Sequence, residues 1–331
     1  MAPNELEPSS GTVEGRVVRA DARLFHVSVG ERTLPAAPRG KLFEDLERKN
    51  PVAVGDLVRV DLSSTPASIE EVLQRRNYLG RLASTHDPRE QVLVANVDRL
   101  FVIGSLRKPG FSSNRTDRIL AACFWHDIPT VLVLNKMDLA RGSEADEIRS
   151  TYERAGVEVL LTSVPRGEGI DALRDALRDR LNVFYGASGA GKSSLLNAIQ
   201  PGLKLKEGKI SRYWDTGKHT TTFSQLHRLD FGGWVIDTPG IRVFRLHGLT
   251  PRELRGLFPE FAPFAAHCRY PDCSHDHEPG CAVFEAVERG EIGATRFASY
   301  LEMHDELAPP SENVVPMDLE AQPEGDDVEG E

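Results

Sequence analysis

The chain has 331 residues, 40% of them hydrophobic, and a formal net charge of −10. That length allows two or three domains with cores of their own, and no apolar run approaches the ~18 residues of a membrane span. Eight acids fall in residues 308–331, which hold no Lys or Arg, so the rest is near neutral and bulk charge gives no argument for DNA or RNA.

The start, Met1 to Glu7, has no basic region followed by an apolar core, so a cytoplasmic protein is expected. Residues 1–10 read as a flexible leader. Residues 11–76 read as a small β-barrel of the OB-fold type. Its β-rich runs are Val13–Ala20, Leu24–Val29, Leu57–Leu62 and Ile69–Leu73, separated by Gly, Pro and Asp. Residues 77–244 alternate strands and helices, the pattern of a parallel α/β sheet. Strands are expected at Arg99–Ile103, Val131–Leu134 and Val157–Leu161, and helices at Arg115–Phe124, Ala145–Arg154 and Ile170–Leu181. Residues 245–307 hold helical pieces around a Cys/His cluster, and the acidic, Pro-rich segment 308–331 is expected to be disordered.

Gly186-Ala187-Ser188-Gly189-Ala190-Gly191-Lys192-Ser193 is a phosphate loop, G-x-x-x-x-G-K-[ST]. It follows the apolar run Val183–Tyr185 and precedes the helical run Ser194–Ile199, as the motif requires. Its backbone N–H groups and the helix dipole suit phosphate oxygens. Lys192 is expected on the β and γ phosphates, as the catalytic cation, and Ser193 on Mg²⁺. Asp237-Thr238-Pro239-Gly240 follows a strand and is placed for a Mg²⁺-facing aspartate and a γ-phosphate contact at Gly240. Asn135-Lys136-Met137-Asp138 follows another strand and selects the base. A carboxylate at Asp138 accepts from both N1–H and N2–H₂ of guanine, which adenine lacks, so GTP and GDP are favoured over ATP. Thr162-Ser163 after the third strand is the candidate loop backing the guanine. These motifs stand in the order NKxD, phosphate loop, DxxG, which means a circularly permuted GTPase domain.

Between Lys192 and Asp237 lies Gly217-Lys218-His219-Thr220-Thr221-Thr222. One of its three threonines, with Thr221 as the candidate, would complete the Mg²⁺ shell. Ile241 stands where many GTPases carry a water-orienting glutamine, and isoleucine cannot hold water. His219 is the candidate for that catalytic task because it both donates and accepts.

Cys268-x4-Cys273-x-His275-x5-Cys281 offers three thiolates and an imidazole at short spacing, which suits one structural Zn²⁺. His267 and His277 compete for the imidazole position. Cys123 stands alone in an apolar helical run and reads as core. Arg39, Lys41, Arg75, Arg76, Lys204, Lys206 and Lys209 are the candidates for RNA contact.

NKMD at 135–138, GASGAGKSS at 186–194, GKHTTT at 217–222, DTPGI at 237–241 and the Cys₃His spacing together resemble the small-subunit-dependent GTPase A family, of the RsgA or YjeQ type. Arg39-Gly40-Lys41-Leu42 and Val54-Gly55-Asp56 also look like that family, and the resemblance covers residues 12–307. It implies an N-terminal OB-fold, a permuted GTPase and a mostly helical zinc domain. It implies a GTP phosphohydrolase in late maturation of the bacterial 30S subunit, bound through 16S rRNA and stimulated by that subunit; a monomer is the expectation, which the resemblance does not supply. The histidine of the family's GRHTTT switch falls on His219, while Lys218 replaces the arginine and loses its bidentate geometry. In the permuted order the run after Gly240 leads almost directly into the Cys/His segment. Departure of the γ phosphate is therefore expected to move that segment against the barrel.

Overall fold

The computed structural model describes residues 11–21, 24–43, 50–84, 87–205, 224–237, 249–276 and 278–307. The leader at 1–10, the tail at 308–331, His219, Thr221, Gly240, Ile241, Lys206 and Lys209 lie outside them.

Five strands form the N-terminal barrel: β1 (Thr12–Ala20), β2 (Phe25–Val29), β3 (Arg32–Pro38), β4 (Leu57–Asp61) and β5 (Ala67–Val72). The order is β1-β2-β3-β5-β4, and a β1–β4 pairing closes it. All pairings are antiparallel except β3–β5. Alternate residues point inward, so Val17, Phe25, Val27, Val58, Val60 and Ile69 fill the interior. Closure leaves few open edges.

Asp56 ties the barrel to the segment that leaves it. It is fully buried, and its carboxylate accepts from the Ala53 N–H at 2.8 Å and from Arg75 Nε and Nη2 at 2.7 and 2.8 Å. Arg75, a candidate for RNA contact, is only 7% exposed at its side chain and held in this internal ion pair. Arg39 and Arg76 also hold acids, Glu70 at 2.7 Å and Asp98 at 2.6 Å. Gly55, at φ 92°, lies so close to the Ala95 carbonyl that a Cβ would overlap it. That approach seats the barrel on a hairpin absent from the sequence-based expectations, β6 (Tyr78–Ser84) and β7 (Asp87–Ala95).

The central sheet uses β8 (Arg99–Ser105), β9 (Thr130–Asn135), β10 (Glu158–Leu161) and β11 (Leu181–Gly186), joined through α1 (Ser113–Trp125), α2 (Glu144–Arg154) and α3 (Ile170–Leu177). Then come α4 (Lys192–Ile199), the short strands β12 (Ser224–Gln225) and β13 (His227–Arg228), and β14 (Trp234–Asp237). The order is β10-β9-β8-β11-β14-β13, parallel except for β13. Strands buried on both faces are continuous apolar runs, as in Val131–Leu134. α3 stops at Leu177, short of the expected Leu181. Leu173, Leu177 and Leu181 share a helical spacing, but Asp179 turns to φ 56° and Leu181 begins a strand whose N–H bonds Asp98 at 2.7 Å.

The C-terminal region has α5 (Pro251–Leu254), α6 (Ala262–Ala265), α7 (Ala282–Glu288) and α8 (Ala294–Leu307). A reciprocal capping box of Thr250 and Glu253 starts α5. Its core is aromatic: Phe258, Phe261, Phe297 and Tyr300 pack around one another. α1 is the wall shared with the central sheet. Ile119, Leu120 and Cys123 face the sheet core, and Ala121 faces the aromatic one. Burial pushes the Cys123 thiol up to about 12, as suits an inert core residue.

Arg296 of α8 sits at that wall, 1% exposed, between Asp117 of α1 at 2.9 Å and Glu260 at 2.7 Å. Removing a cation from between two buried acids costs far more than replacing the whole set by apolar groups. Arg296→Met is expected to lower stability by about 3–5 kcal/mol. The triple variant Asp117→Leu, Glu260→Met, Arg296→Met should lose clearly less, and denaturant unfolding of the full chain compares them.

Candidate functional site

β9, β10 and β11 run parallel in one sheet, so the loops after their carboxyl ends share one rim. Asn135 ends β9 and is buried. Its Nδ2 donates to the Ala190 carbonyl at 2.9 Å, and its Oδ1 accepts from Thr162 Oγ1 at 3.1 Å. One side chain thus joins residues that lie 55 and 27 positions away. The Met137 N–H bonds the Thr162 carbonyl at 3.1 Å, and Ser163 Oγ donates to Asp138 Oδ1 at 2.7 Å. Thr162 and Ser163 are fully buried. The backing-loop residues therefore orient the Asn135 amide and the half-buried Asp138 carboxylate.

Lys136 takes a left-handed backbone, φ 64°, and its Nζ donates to the carbonyls of Gly189 and Lys108. Burial holds its pKa below the ordinary lysine value, opposed by Asp138 and reinforced by Lys108. Sequence reasoning missed Lys108. Its signal is the Lys108-Pro109-Gly110 turn after β8, which presents a carbonyl to Lys136. It also missed Ser112, Arg115 and Thr116 at the start of α1, which line a small cavity together with Gly186, Ala187 and Ala190.

Gly186 ends β11, residues 187–191 form the loop, and α4 begins at Lys192. Lys192 Nζ donates to the carbonyls of Gly186 and Ala187 at 2.9 and 3.3 Å, so the loop curls around its ammonium. Ser193 and Ser194 occupy the first turn of α4, where backbone N–H groups lack intrahelical partners and attract anions. Gly191 is at φ 99°, and a Cβ there would overlap Asn135 Nδ2. Asp237 ends β14 in register with Phe184 of β11, which brings its backbone beside the phosphate strand. A cleft of about 1110 Å³ is lined by Arg75, Arg76, Tyr78, Trp125 and His126, and none of the nucleotide-motif residues lines it.

The second cluster lies in the C-terminal region. One ligand atom from each of Cys268, Cys273, His275 and Cys281 falls within 4.8 Å of the others. His275 Nδ1 is 3.6 Å from Cys268 Sγ and 3.5 Å from Cys281 Sγ. A tetrahedral Zn²⁺ with Zn–S about 2.3 Å and Zn–N about 2.0 Å sets sulfur and nitrogen about 3.5 Å apart. The donor set therefore fits zinc. Burial pushes the Cys273 thiol up to about 12 and lowers the His275 pKa, conditions that a bound cation reverses at the thiol and that keep the imidazole neutral. His275 itself adopts φ 65°, uncommon for a residue with a Cβ, and Gly280 follows at φ 77°. Glu278 holds the turn: despite partial burial, hydrogen bonds from Ser274 N–H and Oγ, 2.7 Å each, bring its pKa down to about 2. His267 is exposed and outside the cluster, and His277 is outside the described residues.

Comparison with known proteins then decides the family. A family profile described as RsgA GTPase matches residues 72–247. The chain belongs to the RsgA GTPase family. A Bacteroides thetaiotaomicron protein named small ribosomal subunit biogenesis GTPase RsgA 2 is 40% identical over 79% of this chain and 86% of its own length. A Chlorobaculum parvum protein named small ribosomal subunit biogenesis GTPase RsgA is 39% identical over 89% of this chain and 98% of its own. The crystal structure of YjeQ from Thermotoga maritima superposes with a TM-score of 0.72 at 35% identity, over 89% of this chain and 98% of that one. YloQ, described as a circularly permuted GTPase, superposes at 0.67 with 27% identity, over 91% and 97%. This chain is a circularly permuted GTPase, and that activity implies a guanine nucleotide.

Gly191 is where the two halves of that rim meet. Gly191→Ala should weaken binding of a fluorescent GDP by about tenfold or more, because strain at the left-handed φ adds to displacement of the Asn135 amide.

Proposed function

We propose that this GTPase works in the cytoplasm, as a monomer, in biogenesis of the small ribosomal subunit. In this reading it binds the 30S particle through 16S rRNA and hydrolyses GTP to GDP and phosphate when stimulated by it. The carrying observation is the junction of Asn135, Asp138, Thr162 and Ser163 with the phosphate loop in a chain so similar to proteins bearing that name. Asp138 would accept from guanine N1–H and N2–H₂, with Ser163 fixing its carboxylate. An adenine would leave that carboxylate unpaired in a partly buried site.

Lys192 and the N–H groups of residues 186–194 would hold the β and γ phosphates. Ser193, Asp237 and Thr221 would hold Mg²⁺, which supplies charge on the phosphates when bound. Gly240 would donate its N–H to the γ phosphate. His219 would orient the attacking water, since Ile241 has no group to do so. Water then attacks the γ phosphorus, the bond to the β–γ bridging oxygen breaks, and GDP leaves. One structural Zn²⁺ would be held by Cys268, Cys273, His275 and Cys281. Four protein ligands leave it no open position for chemistry.

The test is turnover of GTP and ATP by the full chain, with and without purified 30S particles. GTP should be strongly preferred and its turnover raised by the particles. A preference for ATP, or indifference to 30S, would sink the proposal. Lys192→Ala should reduce GTP turnover by about two orders of magnitude. For the metal, elemental analysis should find about one zinc per chain and almost none in Cys273→Ser, whose melting temperature should also fall.

A further inference from the structure

The barrel meets the central sheet at a second junction. The first half of β1, Thr12–Arg16, pairs with β4, and its second half pairs with β2. The edge that β4 leaves open at Arg19–Ala20 is taken by β12. Gln225 lies opposite Arg19 and Ser224 opposite Ala20, and the Leu226 N–H donates to the Val18 carbonyl at 2.8 Å. Val18 and Leu226 are buried in the same core as Ile236 of β14. A two-residue strand in an edge position is stable only through such packing.

β13 comes immediately after and pairs antiparallel with β14, His227 opposite Val235 and Arg228 opposite Trp234. β14 lies parallel to β11, which leads into the phosphate loop. The segment β12–β14 thus has two chemically significant ends. Only Phe223 separates Ser224 from the GKHTTT run, and Asp237 opens the DTPG run. It is the stem between the two sequences expected to sense the γ phosphate, and its first strand belongs to the barrel's sheet.

We propose that β12 is the coupling element through which RNA held on the barrel changes the nucleotide site, and through which the nucleotide changes the barrel's hold on RNA. The coupling rests on the ribosomal function proposed for this GTPase. A strand bonded into one sheet and continuous with another cannot shift in either without exchanging hydrogen bonds and buried contacts in both. Packed junctions of this kind move between discrete arrangements. Linkage makes the effect reciprocal for binding.

The test uses the full chain and Ser224→Pro. Bonded pairs alternate along an antiparallel ladder, and the Leu226 N–H bonds Val18, so the Ser224 N–H faces Ala20 while that of Gln225 points away from β1. Ser224 is outside the nucleotide-binding groups, and proline there removes a bond between β12 and the barrel. Circular dichroism and basal GTP turnover should match wild type within about twofold, while stimulation by purified 30S particles falls about tenfold or more. Full stimulation of a folded Ser224→Pro protein, beside a stimulated wild type, overturns this proposal alone. A wild type that 30S does not stimulate overturns it together with the ribosomal function beneath it. If the variant does not fold, hydrogen exchange on 30S-bound wild type decides. Protection of the Leu226 amide should differ between a non-hydrolysable GTP analogue and GDP, and equal protection overturns the proposal.

Discussion

The Asn135 amide holds together three stretches of chain that have no local reason to meet. Its nitrogen bonds Ala190, its oxygen accepts from Thr162, and both groups are buried away from water. Removing it leaves buried polar atoms without partners, at about 1–3 kcal/mol for each. Nothing in that geometry depends on which stretch is made first. The sheet needs β9, β8 and β11 side by side, with their carboxyl ends at one rim, and the register provides it. Loops at the opposite rim can be cut and rejoined without touching the site, which is the physical basis for tolerating permuted order.

The C-terminal region adds a constraint on motion. Arg296 is shared between Asp117 on α1 and Glu260, and its guanidinium also lies over the rings of Phe258 and Tyr152, 4.7 and 5.6 Å from their centres. Arg118 and Glu306 add a two-point ion pair at 2.7 Å nearby. Sliding this region over α1 would expose or unpair three buried charges. The expected movement of the Cys/His segment against the barrel therefore has to carry α1 with it. α1 begins beside the phosphate loop and shares a core with Cys273 and Cys281, so one helix touches both regions.

Much of the rim and of the metal cluster was legible because each needs fixed residue types at fixed spacing. A phosphate loop requires glycines whose N–H groups face outward, and a tetrahedral site requires four soft or borderline donors within a short span. What escaped was non-local. β3 carries Pro35 and Pro38, which weaken any strand signal, yet β2 and β5 pair with it from both sides. β12 and β13 have two residues each and exist only because β1 and β14 lie beside them. Arg75 reads as a candidate RNA contact until Asp56, 19 positions away, is folded against it, and nothing local marks Arg296 as the partner of Glu260 and Asp117, 36 and 179 positions away. α3 ran too far because leucine spacing does not announce where a helix hands over to a strand.

The barrel's attachments differ in kind, and the difference lies in where each one leads. Asn50 bonds both the N–H and the carbonyl of Val92, Val54 bridges Val94, and Arg76 holds Asp98. These contacts go to the hairpin and to the start of β8, elements that carry no nucleotide-motif residue. β12 is different, because the chain on either side of its stem runs into the GKHTTT and DTPG sequences. The first set of contacts ties the barrel to elements apart from the nucleotide motifs, and the second ties it to a stem that adjoins them. With one edge completed by β12, the barrel shares the buried contacts of Val18 and Leu226 with Ile236 of β14, the strand that ends at Asp237.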